Sequence, residues 1–357
     1  MTEPAVTRPP QSEVMPVPAE EALNFATLEP WLREHLGATG PIEAARFTVG
    51  HANLTYLLRI GGEEYVLRRP PLGPIPPGAH DMAREHRVLS VLHAAYPLAP
   101  RSLLLCTDES VIGAPFMIVE RRRGQVITTD VPELYLQQPG MTRRIGDMVV
   151  DALADLHQVD PASVGLDTLG RPEGMVARQL EGWTRRWHAA LDKPYPEMDP
   201  LLAWLQANLP ATRNTVLLHN DFKLDNMIVA ADDPARPVAV LDWDMATQGD
   251  PLLDLGYLLN WWAEPADDPA WIAAGVMPTW RPGFPSREQA IARYAARTGF
   301  DVSDINWYYV YNAFRLAVII QQIYIRYVRG QTTNPNFANF GARVATLVSK
   351  ALVLARG

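Results

Sequence analysis

The chain has 357 residues, 48% of them apolar, and a formal net charge of −8. That is enough for two lobes with buried cores. The acidic balance, with no basic run longer than Arg121-Arg122-Arg123, argues against a nucleic-acid surface, and a single cysteine, Cys106, excludes a disulfide framework within the chain or a multi-thiolate zinc site.

One cysteine fits a reducing compartment, so a cytoplasmic location is expected. The first 20 residues hold five prolines and no apolar stretch, which does not read as a signal peptide. Residues 1–24 are expected to form a disordered or loosely docked extension. The apolar run 314–320 is too short, and too interrupted by Arg315, to cross a bilayer, so no membrane partner is expected.

A first helix is expected over 28–36. From 44 to 69 the apolar pattern turns to period two, broken at Gly50 and at Gly61-Gly62, which reads as three strands with the last two forming a hairpin. A proline-rich loop over 70–78 leads to a helix over 79–95, and strands follow at 102–106 and 116–120. Beyond about 128 the pattern becomes helical, at 142–157, 174–190 and 200–209. A strand group interrupts it at 216–218, 227–230 and 238–241. Helices resume at 252–262, 286–298, 303–328 and 336–354, and no internal repeat is present. A β-rich N-lobe over 25–122 and a helical C-lobe over 123–357 make an α+β fold of the protein-kinase-like kind.

The sharpest chemical signal is the run VLLHNDFKLDN over 216–226, in which an apolar stretch ends in His219-x-Asp221 with Asn226 five residues on. That is H-x-D-x-x-x-x-N, the catalytic-loop spacing of kinases. Phosphoryl transfer needs one carboxylate within reach of the attacking hydroxyl, which fits Asp221. It also needs oxygen ligands for the Mg2+ that bridges the phosphates of ATP. Asn226 offers one, and Asp242, sixteen residues on at the end of a second apolar run, offers the other. An isolated Asp after a strand is usually a turn or cap residue. The whole set, with Asp232-Asp233-Pro234 turning between the two strands, is far more specific. His219 is expected to fix the loop by packing and hydrogen bonding, and Lys223 to reach the transferring phosphate.

Residues 219–226 followed by VLDWDMATQGDPLLDLGY over 240–257 resemble the aminoglycoside phosphotransferase/choline kinase superfamily. Within it, the chain is most similar to phosphotransferase domains related to those fused to some acyl-CoA dehydrogenases. Those domains show similar runs to YVLRRPP at 65–71, AHDMARE at 79–85 and FRLAVIIQQ at 314–322, so the resemblance covers about residues 25–355. It implies a nucleotide-binding N-lobe. Tyr65-Val66-Leu67-Arg68 is similar to the kinase strand that carries a phosphate-binding lysine, with arginine in its place. Val66, on the same face, would pack on adenine, and Glu85 is the candidate partner of Arg68. The turn containing Gly50, His51 and Asn53 would cover the phosphates. The strand ending at Glu120 would lead to the backbone that binds the adenine edge. Asp254 is expected to accept backbone N–H bonds from the catalytic loop.

Residues 251–357 carry ten basic and seven acidic side chains, so the negative excess lies elsewhere in the chain. Polycationic aminoglycosides need acidic pockets, which favours an anionic acceptor. Tyr311, Arg315, Gln322 and Arg326 share one face of a helix whose other residues are mostly apolar. They are candidates for binding an anionic substrate, such as a hydroxyacyl compound or its coenzyme A thioester. The expected function is ATP- and Mg2+-dependent phosphorylation of a small-molecule hydroxyl. An antibiotic kinase and a nucleotide-binding pseudokinase are the alternatives. Asp242-Trp243-Asp244 in place of D-F-G argues against a protein kinase. The sequence does not fix the oligomeric state.

Overall fold

The computed structural model describes residues 13–48, 53–73, 80–273 and 276–356. The chain divides into two compact units, residues 1–122 and 123–357. Their secondary structure is the protein-kinase-like α+β pattern, a β-rich unit followed by a helical one.

The N-terminal unit runs β1 (Val14–Met15), α1 (Phe25–Leu36), β2 (Ile42–Phe47), β3 (Leu54–Ile60), β4 (Glu63–Arg69), α2 (Met82–Leu92), β5 (Ser102–Cys106) and β6 (Phe116–Glu120). The six strands form one antiparallel sheet in the order β1-β2-β3-β4-β6-β5. The β3–β4 hairpin closes through Gly61 and Gly62, both at positive φ. A Cβ on Gly61 would stand 2.1 Å from the Thr39 carbonyl oxygen, so only glycine fits there. Leu28 and Leu32 of α1 pack into the core with Tyr56, Leu58, Leu67, Phe116 and Ile118. The expected loose extension needs correcting from residue 13 on. Val14 pairs with Phe47, Leu23 is buried, and the Glu21 carboxylate holds Arg46 at 2.7 Å. Two buried contacts and a strand pairing outweigh the prolines.

The C-terminal unit runs α3 (Glu133–Leu136), α4 (Met141–His157), α5 (Met175–Ala189), α6 (Asp199–Ala207), β7 (Val216–Leu218), β8 (Met227–Val229), β9 (Pro237–Val240), β10 (Thr247–Gly249), α7 (Leu252–Trp261), α8 (Pro269–Ile272), α9 (Arg287–Thr298), α10 (Ile305–Val328) and α11 (Phe340–Leu354). The short elements α3, α8 and β10 were not expected. Four residues or fewer carry too little periodicity to stand out. Strand β10 pairs with β7, and β8 pairs with β9. Helix α9 starts at a capping box of Ser286 and Gln289 and ends at Gly299 in the left-handed region.

Helix α7 lies against α10 at Gly256, where a Cβ would meet the Tyr308 carbonyl carbon at 2.7 Å. The segment 335–354 is long and apolar enough to cross a membrane by composition alone. Its stripe Val344, Leu347, Val348 and Ala351 is buried at i, i+3, i+4 and i+7, and the helix packs along α10.

Candidate active site

The loop after β7 is fixed from below by one carboxylate. Asp254, on the first turn of α7, accepts the His219 N–H on Oδ2 and the Asn220 N–H on Oδ1, both at 2.7 Å. These are the backbone bonds expected for it from the sequence. Asp254 has no solvent exposure, and His157 Nε2 sits 3.3 Å from Oδ2. His157 Nδ1 is in turn 2.6 Å from the Tyr294 hydroxyl. Burial alone would raise the Asp254 pKa. The hydrogen bonds and charges of His157 and His219 outweigh it and hold the carboxyl below the ordinary range. Two backbone donors that a tight loop would otherwise orphan are thereby satisfied. Asn220 can then take the left-handed conformation, φ 66°, that presents Asp221.

His219 serves the loop from above. Its Nε2 donates to the Leu241 carbonyl at 2.8 Å, so Nδ1 accepts the Asp221 N–H at 3.2 Å. The ring lies 4.7 Å from Trp243 and edge-on to Phe222. With no exposure and both nitrogens committed, His219 is a structural tie between the loop and the end of β9.

Both oxygens of Asp221 are oriented. Oδ2 accepts Asn226 Nδ2 at 2.7 Å, and Oδ1 accepts the Tyr257 hydroxyl. Burial, and then the Asp221 charge, push the Tyr257 phenol well above its ordinary range, so it remains a donor. Lys223 Nζ lies 3.5 Å from Asp221 Oδ1 and 3.5 Å from Asp225 Oδ2, and 5.0 Å from the Trp261 ring centre. Burial would lower the Lys223 pKa, but the two carboxylates more than offset it and raise it. The ammonium therefore stays charged beside the candidate base.

The two candidate metal ligands are brought together by the strand register. Met227 pairs with Val240, and the Leu241 N–H donates to the Asn226 carbonyl at 2.8 Å. Asp242 follows Leu241 and leaves the strand at φ 68°. Asn226 Nδ2 donates to the Asp221 carbonyl and carboxylate, so its amide oxygen is the atom it can offer a cation. An amide oxygen and a carboxylate on adjacent backbone suit Mg2+, which takes few protein oxygens beside phosphate. Among the described residues no group of three or more His, Cys, Asp or Glu could form an all-protein metal cage.

The four residues expected to share a helix face do not converge. Tyr311 is buried and stacked on Trp307 at 5.2 Å. Arg315 is 7% exposed and donates to the Asn220 carbonyl at 3.3 Å, its guanidinium 5.2 Å from the Tyr257 ring centre and 5.6 Å from that of Trp183. Gln322 is only partly buried and Arg326 is exposed. The N-terminal half of α10 is enclosed on all sides and its C-terminal half is not, which separates residues that share a face.

In the N-terminal unit, Arg68 lies 3.1 Å from Oε1 of Glu85, whose side chain is 1% exposed on the stripe of Met82, Leu89 and Leu92. Val66 stands on the same face of β4 as Arg68, pairing with Val119. Asn53 Oδ1 meets His80 Nδ1 at 2.8 Å. Gly50 and His51 lie outside the described residues. Glu120 closes β6. Its N–H donates to the Arg101 carbonyl and its Oε1 accepts the Arg101 N–H at 2.7 Å.

Tyr257, which donates to Asp221, is the candidate site residue that the sequence reading missed. The signal was present, because it stands three residues after Asp254 on the same helix face.

Comparison with known proteins bears on this arrangement. Residues 43–305 match the family model described as phosphotransferase enzyme family. The chain is 32% identical over 339 residues to acyl-CoA dehydrogenase family member 10 of Mus musculus, covering 94% of this chain and 31% of that protein. It is 34% identical over 353 residues to family member 11 of Rattus norvegicus, covering 96% and 44%. The chain thus spans less than half of the length of these relatives. A solved structure from Ralstonia eutropha, presented as a candidate aminoglycoside phosphotransferase, shares 30% identity over 94% of this chain and 99% of that one, with a TM-score of 0.79. A thermostable aminoglycoside phosphotransferase mutant in complex with ADP and hygromycin B shares the fold at 18% identity, covering 92% and 98%, with a TM-score of 0.57.

Proposed function

The chain belongs to the phosphotransferase enzyme family, and from that premise we propose that it moves the γ-phosphoryl group of ATP to a hydroxyl of a small anionic metabolite. The observation that carries this reading is Asp221, a carboxylate with both oxygens held by donors and with Asn226 and Asp242 on adjacent backbone. Asp221 positions the acceptor hydroxyl and takes its proton as the phosphoryl group departs from ADP. The two hydrogen bonds fix the direction of the carboxylate, and the transition state needs orientation more than deprotonation. Lys223, kept charged, offsets the charge on the moving phosphoryl oxygens. Asn226 and Asp242 would hold the Mg2+, whose chemistry is to neutralise the β- and γ-phosphate oxygens. On the N-terminal unit, Arg68 oriented by Glu85 is the proposed phosphate contact, and Val66 the adenine contact.

The anionic acceptor is supported by Arg315 buried beside the catalytic loop and by the basic balance of residues 251–357. The relatives are named as acyl-CoA dehydrogenases, which makes hydroxyacids and hydroxyacyl thioesters the first acceptors to try. The test is ADP release across hydroxyacids, hydroxyacyl-CoA thioesters, amino sugars and choline-like alcohols. Asp221→Asn serves as the blank, and its retention of full activity refutes the assignment. Turnover confined to amino sugars returns the chain to the antibiotic kinases. A melting-temperature shift with MgATP that Asp242→Asn abolishes, with no turnover of any acceptor, returns it to the pseudokinases.

A further inference from the structure

Away from the catalytic loop, three of the buried polar atoms that have no hydrogen-bond partner among the described residues lie together: Trp271 Nε1, Tyr309 Oη and Lys350 Nζ. They come from three helices, α8, α10 and α11, and Trp261 of α7 continues the row. Lys350 Nζ lies 4.4 Å from the Trp271 ring centre and 5.1 Å from that of Tyr309. Trp271 lies 6.4 Å from Trp261. Trp261 lies 6.1 Å from Tyr257 and 5.0 Å from Lys223 Nζ, the two groups that flank Asp221. The row therefore runs from the candidate base to a lysine at its far end.

All three atoms can donate, and only the Tyr309 hydroxyl can also accept, so donors exceed acceptors. Unmet buried donors are costly, and several on neighbouring side chains, with the ammonium held only by the faces of two rings, mark a place that an acceptor would complete. The charge balance narrows the ligand. Arg287, 5.7 Å from the Tyr309 ring centre, is already satisfied by Glu264 and Asp267. Those three leave a charge of −1, which Lys350 brings to zero. A carboxylate then adds one negative charge where a phosphate would add two. The two indole rings provide an apolar wall between Asp221 and the lysine.

We propose that Lys350, with Trp271 and Tyr309, receives a carboxylate at the far end of the phosphate acceptor, whose hydroxyl end lies at Asp221 and whose stem lies along Trp261. Lys350 is thus a specificity-determining residue for hydroxycarboxylates. The proposal rests on the phosphotransferase reading for the hydroxyl end only. Burial first, then Arg287, lower the Lys350 pKa to about 7, with Asp267 acting in the opposite sense. Glu264 and Tyr309 complete the groups that face it. A carboxylate seated there favours the charged amine, so binding takes up a proton above about pH 7 and weakens as pH rises.

The experiment uses the full chain and linear hydroxycarboxylates of four to eight carbons as probes, with their methyl esters and the matching phosphorylated diols. Binding is read by calorimetry in two buffers of different ionisation enthalpy, so it does not depend on turnover. The wild type should bind the acids at least tenfold more tightly than the esters, with proton uptake at pH 8. Lys350→Met should bind acid and ester alike, with MgATP binding unchanged, and Lys350→Arg should recover part of the difference. Equal binding of acids and esters by the wild type overturns the proposal, as does an acid preference that survives Lys350→Met. Preference for the phosphorylated diols overturns the carboxylate assignment. Absence of ADP release with any probe counts against the phosphotransferase reading. The binding measurement still judges Lys350.

Discussion

Two polar networks in the C-terminal unit are built on opposite terms. Around the catalytic loop, Asp254, His157, His219 and Asp221 each meet a partner, and the fully buried carboxylate is matched by two backbone N–H groups. Around Lys350, the donors outnumber the acceptors. The first network stabilises the fold and holds a reactive group still. The second gives up stability, and such a deficit is how a site is kept for a ligand. Substitutions should therefore change sign between the two regions.

The largest effect belongs to Asp221→Asn. ADP release should fall about 1,000-fold, as expected for loss of a positioned general base, with little change in melting temperature. Next, Asp254→Asn puts an amide where two N–H groups need acceptors. It should cost about 3 kcal/mol in urea unfolding. The sign of its pH dependence follows from the depressed carboxyl. That stability is present above the ordinary carboxylate range and is lost as pH falls through the lower folded value. Unfolding curves from neutral to acid pH should slope less in the variant than in the wild type.

Gly256→Ala forces a methyl against the Tyr308 backbone and should cost about 1–3 kcal/mol, lowering kcat as α7 shifts. Tyr257→Phe leaves the packing and removes one donor from Asp221. A rate loss of about tenfold is expected, corresponding to one hydrogen bond to a charged group. The smallest effect is the opposite one. Lys350→Met removes a buried amine that has no hydrogen-bond partner among the described residues, and should raise the melting temperature by a few degrees near neutral pH. A lower melting temperature there would erase the distinction between the two networks.

Most of the fold was legible because its long elements carry strong periodicity. Strands at 102–106 and 116–120 stand where expected, and the helix ends agree within a few residues. The H-x-D-x-x-x-x-N spacing marked the loop because its chemistry is local in sequence. Asp254 was legible through resemblance, and Tyr257 only by helical spacing from it. The Lys350 cluster was not legible. Its members lie 261, 271, 309 and 350 along the chain, and no periodicity links residues from four helices. The stripe on α10 failed for the reverse reason. Its spacing was right, but burial changes halfway along the helix.

Helix α7 carries Asp254, Tyr257 and Trp261 at i, i+3 and i+7, along a single face. The loop anchor, the group that orients the proposed base and the wall of the proposed acceptor row are thus carried on one rigid piece. Altering acceptor choice through α7 changes the position of Asp221 at the same time. Helices α8 and α11 hold Trp271 and Lys350, and among the described residues neither side chain hydrogen-bonds the catalytic loop. Acceptor length and charge should be retuned from those two helices while the turnover rate stays near its original value.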